Sequence, residues 1–157
     1  MANIDGVDVV HDLSVLPLPL ESNTYTEVLC QDILEHLDYV DLLREIHRVM
    51  KKDAVLKIRV PHFTSRNNHI DPTHKSTFSV LTFQFFVKES MHDRSYYFDF
   101  HFSKIESRRL TFEKGPFIYN YPIQWFFNLS PRLLNYYEAT FLRSLFPAEN
   151  VEIALVK

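Results

Sequence analysis

Glycine is nearly absent: Gly6 and Gly115 are the only two in 157 residues. A glycine-rich phosphate or dinucleotide loop needs several glycines in one short stretch, so this sequence contains none. Cysteine is scarcer still. Cys30 alone can form neither an internal disulfide nor a Cys-rich zinc site, which suits a reducing compartment, and a cytoplasmic location is expected. A positive excess is also missing: 17 Lys and Arg against 20 Asp and Glu leave a formal charge of -3, so nucleic acid is not expected as a partner. No apolar run reaches the length of a membrane span. The opening "MANIDGVDVVHDL" lacks the basic-then-apolar order of a signal peptide.

What is present is a soluble globular composition, 46% hydrophobic and 24% charged, long enough for one domain (1–157) with a real core. Val7–Val10 reads as a short buried strand, followed by the proline-punctuated "LSVLPLPLESNTY". Thr26–Cys30 reads as a second strand. Between Asp38 and Met50 the residues Tyr39, Leu42, Leu43, Ile46 and Val49 recur at helical spacing. Asp38 suits an N-cap, and Arg48, Lys51 and Lys52 suit the negative end of the helix dipole. "AVLKIRV" (Ala54–Val60) is a strand stopped by Pro61. Thr77–Val87 fits a helix or an aromatic strand equally well. Lys104–Phe112 and Val151–Val156 read as late strands able to pair antiparallel. Between them, residues 115–147 form an aromatic-rich insertion whose second half, from Pro131, has a helical pattern. The order strand, helix, strand predicts an α/β fold with parallel pairing.

Four blocks in order carry a family resemblance: "VDVVHDLSVLPLP", "DILEHLDYVDLLREIHRVMK", "LKIRVPHF" with "DPTHKSTFS", and the tail "YEATFLRSLFPAENVEIALVK". Together they resemble the class I S-adenosylmethionine-dependent methyltransferases of the type 11-like group. The resemblance implies a partial Rossmann-like fold, mostly parallel with an antiparallel C-terminal strand pair, and cofactor across the strand C-termini. It implies that Asp12 and Leu13 lie beside the adenine, and that Gln31 and Asp32 border the methionine end. It implies that His36 faces the methyl acceptor, a small molecule or another compound of unknown identity.

Two departures accompany it. The glycine-rich turn that the family places before these blocks is not in the sequence, and Asp5 is a weak stand-in for the ribose-binding acid. The family's Pro-Gly-Gly turn is replaced by Lys52-Asp53-Ala54, where a positive φ costs energy. The expectation is therefore an N-terminally incomplete methyltransferase with an unpaired sheet edge through which the chain associates with another. A non-catalytic interaction domain of methyltransferase descent is the alternative.

The residues alone leave their roles open. Asp32, Glu35 and His36 suit acid–base chemistry, and equally suit a loop that satisfies backbone amides. His62, Asp71 and His74 are placed on the substrate side, in the loop after the last parallel strand. With His69 they invite a metal reading, but their spacing matches no compact ligand motif and no metal is assigned. The rings of 115–147 are expected chiefly to fill the core, with a lid, a dimer surface and a membrane-surface helix as the functional alternatives.

Overall fold

The computed structural model describes residues 6–88, 90 and 96–157. Its strands are β1 (Tyr25–Gln31), β2 (Met50–Pro61), β3 (Lys104–Thr111) and β4 (Asn150–Val156), in the sheet order β1-β2-β4-β3. Helix α1 (Tyr39–Val49) joins β1 to β2, and α2 (Asn67–Ile70) follows β2. Three helices, α3 (Asn120–Phe127), α4 (Pro131–Ala139) and α5 (Leu142–Leu145), separate β3 from β4. Short 3-10 turns occupy Leu34–His36 and Thr82–Phe86.

The β1–α1–β2 unit follows from its sequence pattern. Leu42, Leu43, Ile46 and Val49 put a buried stripe on α1, and β2 alternates so that Leu56, Ile58 and Val60 meet it. The crossover helix makes β1 and β2 parallel, as it must. Asp38 stands at the N-cap position but makes no side-chain cap bond, so its contribution to α1 is limited to its charge at the positive helix end. Arg48 latches the proline-rich segment onto α1. Its guanidinium donates to Glu45, to the carbonyls of Leu18 and Leu20, and to Ser22 Oγ.

The sheet is mixed rather than mostly parallel. Only β1–β2 is parallel, and both β2–β4 and β3–β4 are antiparallel. The reason lies in the connections: no crossover helix separates β2 from a third parallel strand, and the α3–α5 segment lets β4 return alongside β3. The expected strand at Val7–Val10 does not form. Val7, Val9 and Val10 are exposed, because a β-branched run with no neighbouring strand has nothing to hydrogen-bond. Asp5 lies outside the described residues.

One apolar face of the sheet carries the core, where Val151, Ile153 and Leu155 of β4 meet Phe78, Phe83, Phe102 and Tyr137. The other face is charged. Glu27 pairs with Lys57, Asp32 with Arg59, and Glu152 with Arg109, and residues so patterned favour water over a second helix layer. The two sheet edges differ. Along β3, Asn128 of the α3 C-cap accepts from Leu110 N–H and donates to its carbonyl, both at 2.8 Å, and Gln124 accepts from Phe112 N–H at 3.1 Å. These amides imitate a neighbouring strand and block that edge. Along β1, β2 is the only strand partner among the described residues.

Within 115–147 the helical pattern from Pro131 is realised, with Ser130 as N-cap and Pro131 at the first helical position, but it breaks at Thr140 into α4 and α5. The rings do not chiefly fill the core. Phe127 and Tyr137 are buried, while Tyr119, Tyr121, Trp125, Phe126, Tyr136 and Phe141 are exposed. Three short helices offer too few inward positions for so many rings.

Candidate functional site

The chain leaves β1 through Asp32, which takes a left-handed φ of +53° while its N–H donates to the Arg59 carbonyl at 2.9 Å. That kink turns the following 3-10 segment across the C-terminal ends of β1 and β2. Arg59, paired with Gln31 in the sheet register, fixes the Asp32 carboxylate with its guanidinium, Nε lying 3.1 Å from Oδ1. Leu34 is fully buried and anchors the turn, which carries Glu35 inward with it.

The loop after β2 is stitched onto this turn by backbone bonds. The Glu35 carbonyl accepts from Lys75 N–H at 2.7 Å and from Ser76 N–H at 3.2 Å. His74 is thereby brought edge-on to His36, with ring centroids 4.6 Å apart. His36 Nδ1 lies 2.8 Å from Thr73 Oγ1, and Thr73 Oγ1 donates its one hydrogen to Asp71 Oδ1 at 2.6 Å. With that hydrogen committed, the hydroxyl can only accept from His36, so in the neutral ring Nδ1 carries the proton and Nε2 the lone pair. Asp71 also takes Thr73 N–H at 2.8 Å, and these two bonds hold its carboxyl below the usual range.

Glu35 is the unusual group. Burial raises its pKa, and its Oε2 has no hydrogen-bond partner among the described residues. His74 Nδ1 is likewise buried without a partner. One donor atom from each of Glu35, His36 and His74 falls in a set within 4.8 Å, the kind of group that can share a proton or hold a divalent cation. The sequence spacing missed this set because it arises from loop stitching rather than from a local motif.

These residues line a cleft of about 740 Å³, a size suited to a cofactor together with a small acceptor. Arg59 and Arg109 on its wall are engaged by Asp32 and Glu152. Of the residues to which the sequence assigned a cofactor, acceptor or substrate-side place, Asp32, His36, Asp71 and His74 meet in this cleft, together with Glu35 of the polar junction. The other four stand apart from its lining. Asp12 is occupied with Ser14 N–H and Oγ at 2.9 and 2.7 Å, and Leu13 borders a separate hollow of about 90 Å³ with Leu37 and Lys75. Gln31 faces the charged side of the sheet beside Lys57. His62 is fully buried, with Nε2 2.8 Å from Glu138 Oε1 and Nδ1 2.7 Å from Thr64 Oγ1.

A site at the C-terminal ends of a parallel pair follows the general rule for ligand binding by α/β sheets, and comparison with known proteins bears on which ligand. Residues 2–58 match the Methyltransferase domain family. That stretch contains β1, α1 and most of β2, and with them Asp32, Glu35 and His36. Over 47 residues the chain is 40% identical to an uncharacterized protein of Methanocaldococcus jannaschii, which accounts for 30% of this chain and 21% of that protein. In structure it resembles a SAM dependent methyltransferase from Archaeoglobus fulgidus, with TM-score 0.53 and 21% identity over 88% of this chain and 62% of that one. A looser likeness to MccD protein has TM-score 0.39 and 15% identity, covering 94% of this chain and 65% of that one. The methyltransferase likeness is therefore one of sequence in the first third and of fold over most of the chain, and the chain spans less than two thirds of each of these three proteins.

Proposed function

We propose that the cleft at the ends of β1 and β2 is the acceptor side of an S-adenosylmethionine-dependent methyl-transfer site. The observation that carries this reading is the placement of Asp32, Glu35 and His36, all inside the methyltransferase-like stretch, at the strand ends where α/β sheets bind ligands. The residues present suit such a cofactor. The cleft is roomy, and polar side chains of both loops, Asp32, Glu35, His36, Asp71 and His74, line it. S-adenosylmethionine, when bound, supplies an electrophilic methyl group on a sulfonium. Asp32, held in place by Arg59, borders the cofactor. His36 Nε2 takes the proton of an N–H or O–H acceptor, and its Nδ1–H keeps donating to Thr73, which donates to Asp71. The Asp71 carboxylate thus steadies the imidazolium through one hydroxyl. His74 packs edge-on against the base and limits its rotation.

Calorimetric titration of the full chain with S-adenosylmethionine tests the reading. Binding that weakens tenfold or more in Asp32→Ala supports it, and no heat up to millimolar cofactor refutes it. In that event, association of two chains through the open β1 edge, seen as a dimer on sizing, favours the interaction-domain alternative. A second reading draws on the unpartnered Glu35 Oε2 and His74 Nδ1: a divalent cation held by Glu35, His36 and His74 that orients an oxygen acceptor. Zinc titration separates the two, because His74→Ala abolishes zinc uptake under this reading and leaves cofactor binding in place.

A further inference from the structure

We propose that the face built by α3 and α5 docks on an anionic lipid surface. Ile118, Trp125 and Leu129 recur at helical spacing along α3 and its flanks, and all three are exposed, Trp125 at 67%. At α5, the N-cap Phe141 and the last residue Leu145 stand four residues apart, and Phe141 is 74% exposed. The start of α3 meets the end of α5, where the Tyr119 ring lies 6.0 Å from the Phe146 ring. Monomeric soluble proteins seldom expose so many large apolar side chains in one stretch, and such a patch marks an interaction site.

The charges around the patch select the partner. Residues 114–147 contain three exposed cations, Lys114, Arg132 and Arg143, and a single acid, Glu138, which is buried against His62. The chain as a whole carries more acids than bases, so this segregation is local. Lys114 also sits over the Tyr121 ring at 5.2 Å, placing a cation at the rim of the aromatic surface. Glu113 and Glu149 line the hollow beside Tyr119 and Phe146, but Glu113 is neutralised by Arg66 at 2.7 Å, so the segment itself keeps an excess of exposed cations. Aromatic rings and aliphatic side chains flanked by exposed cations are the composition that lies in the headgroup region of an anionic membrane. No helix among the described residues is long and apolar enough to cross one, so the contact is peripheral. A strand added at the open β1 edge would not cover this face. Helices α3 and α4 pack beside β3, at the far edge of the sheet, three strand spacings or about 14 Å away.

Trp125 is the only tryptophan and therefore a built-in reporter. The full chain is mixed with vesicles of phosphatidylcholine alone or with 30% phosphatidylglycerol. Sedimentation and tryptophan emission are followed in each case. Binding to the anionic vesicles with a blue shift of Trp125 emission is expected. At about fivefold per cation, it should be about 100-fold tighter than to neutral vesicles at low salt. The exposed-site double variant Lys114→Glu/Arg132→Glu should lose most of that preference, and so should the native chain in 0.5 M salt. Failure to sediment, equal binding to both vesicle types, or a concentration-dependent blue shift without vesicles would each overturn the proposal. The last result would assign the face to a second copy of the chain.

Discussion

Replacing Glu138 by alanine should be the most damaging single change outside the cleft. Its carboxylate accepts from three groups in two other parts of the chain: His62 Nε2 at 2.8 Å, and from one segment Val80 N–H at 2.8 Å and Ser79 Oγ at 2.5 Å. It thereby ties α4 to the end of β2 and to the segment after the His74 loop. Alanine leaves a buried imidazole N–H and a buried backbone N–H unpaired and opens a small void. Breaking a buried charged cluster from one side costs about 3–5 kcal/mol. At roughly 2–4 °C per kcal/mol for a chain of this size, a loss of about 4 kcal/mol lowers Tm by about 8–16 °C. Glutamine keeps the shape and an acceptor oxygen, and should cost only about 1–2 kcal/mol. The pH dependence has a definite sign. Burial acts to raise the Glu138 pKa, yet the bonds from His62, Ser79 and Val80 outweigh it and hold it below the usual range. Its stabilising share is thus complete above the ordinary carboxyl value of 4.5 and is lost as pH falls below it, so the native chain should lose stability faster there than Glu138→Gln. Urea melts at pH 7 and across pH 3–5 measure both effects. A loss under 1 kcal/mol for Glu138→Ala, or equal losses for Gln and Ala, would refute the account of this hub.

Three other changes probe the fold. Asn128→Ala removes the amide that caps β3, and should cost about 1–2 kcal/mol in urea and increase light scattering on warming, since it bares a strand edge; unchanged scattering would argue against the edge-blocking role. Asp53 sits at φ +63°, so Asp53→Gly should stabilise by about 0.5 kcal/mol and Asp53→Ala should destabilise by about 1 kcal/mol; opposite signs in equilibrium unfolding would contradict the strain. Burial pushes the Cys30 thiol up to about 11, so a disulfide reagent at pH 8 should label it slowly in the native chain and at once in urea; fast native labelling would be inconsistent with a closed core at β1.

The parts of the fold that could be read in the sequence are those written in local periodicity. The stripe of α1 and the alternation of β2 each need only a dozen residues to declare themselves, and both appear where the spacing places them. The left-handed φ of Asp53 was legible through the resemblance, which puts Lys52-Asp53-Ala54 where the family has Pro-Gly-Gly; the structure keeps that φ early in β2 rather than in a separate turn. Val7–Val10 misled, since β-branched composition states a preference while a strand exists only with a partner. The aromatic insertion misled in the same way: ring content predicts burial on average, but three short helices have little inward surface. In the site, the cluster at Asp32–His36 was visible as a polar junction after an apolar run. That His74 joins it depends on which backbone carbonyl accepts Lys75 N–H, and that His62 turns away depends on α4 bringing Glu138 to the end of β2; no one-dimensional pattern encodes either choice.

The central claim, that the cleft over β1 and β2 receives S-adenosylmethionine, is tested most directly by a backbone amide NMR titration of the full chain with that compound. The account predicts that shift changes concentrate at 31–36 and 71–76, where the two loops are stitched together, and that they diminish in Asp32→Ala. Shifts confined to other surfaces, or none at millimolar cofactor, would contradict it.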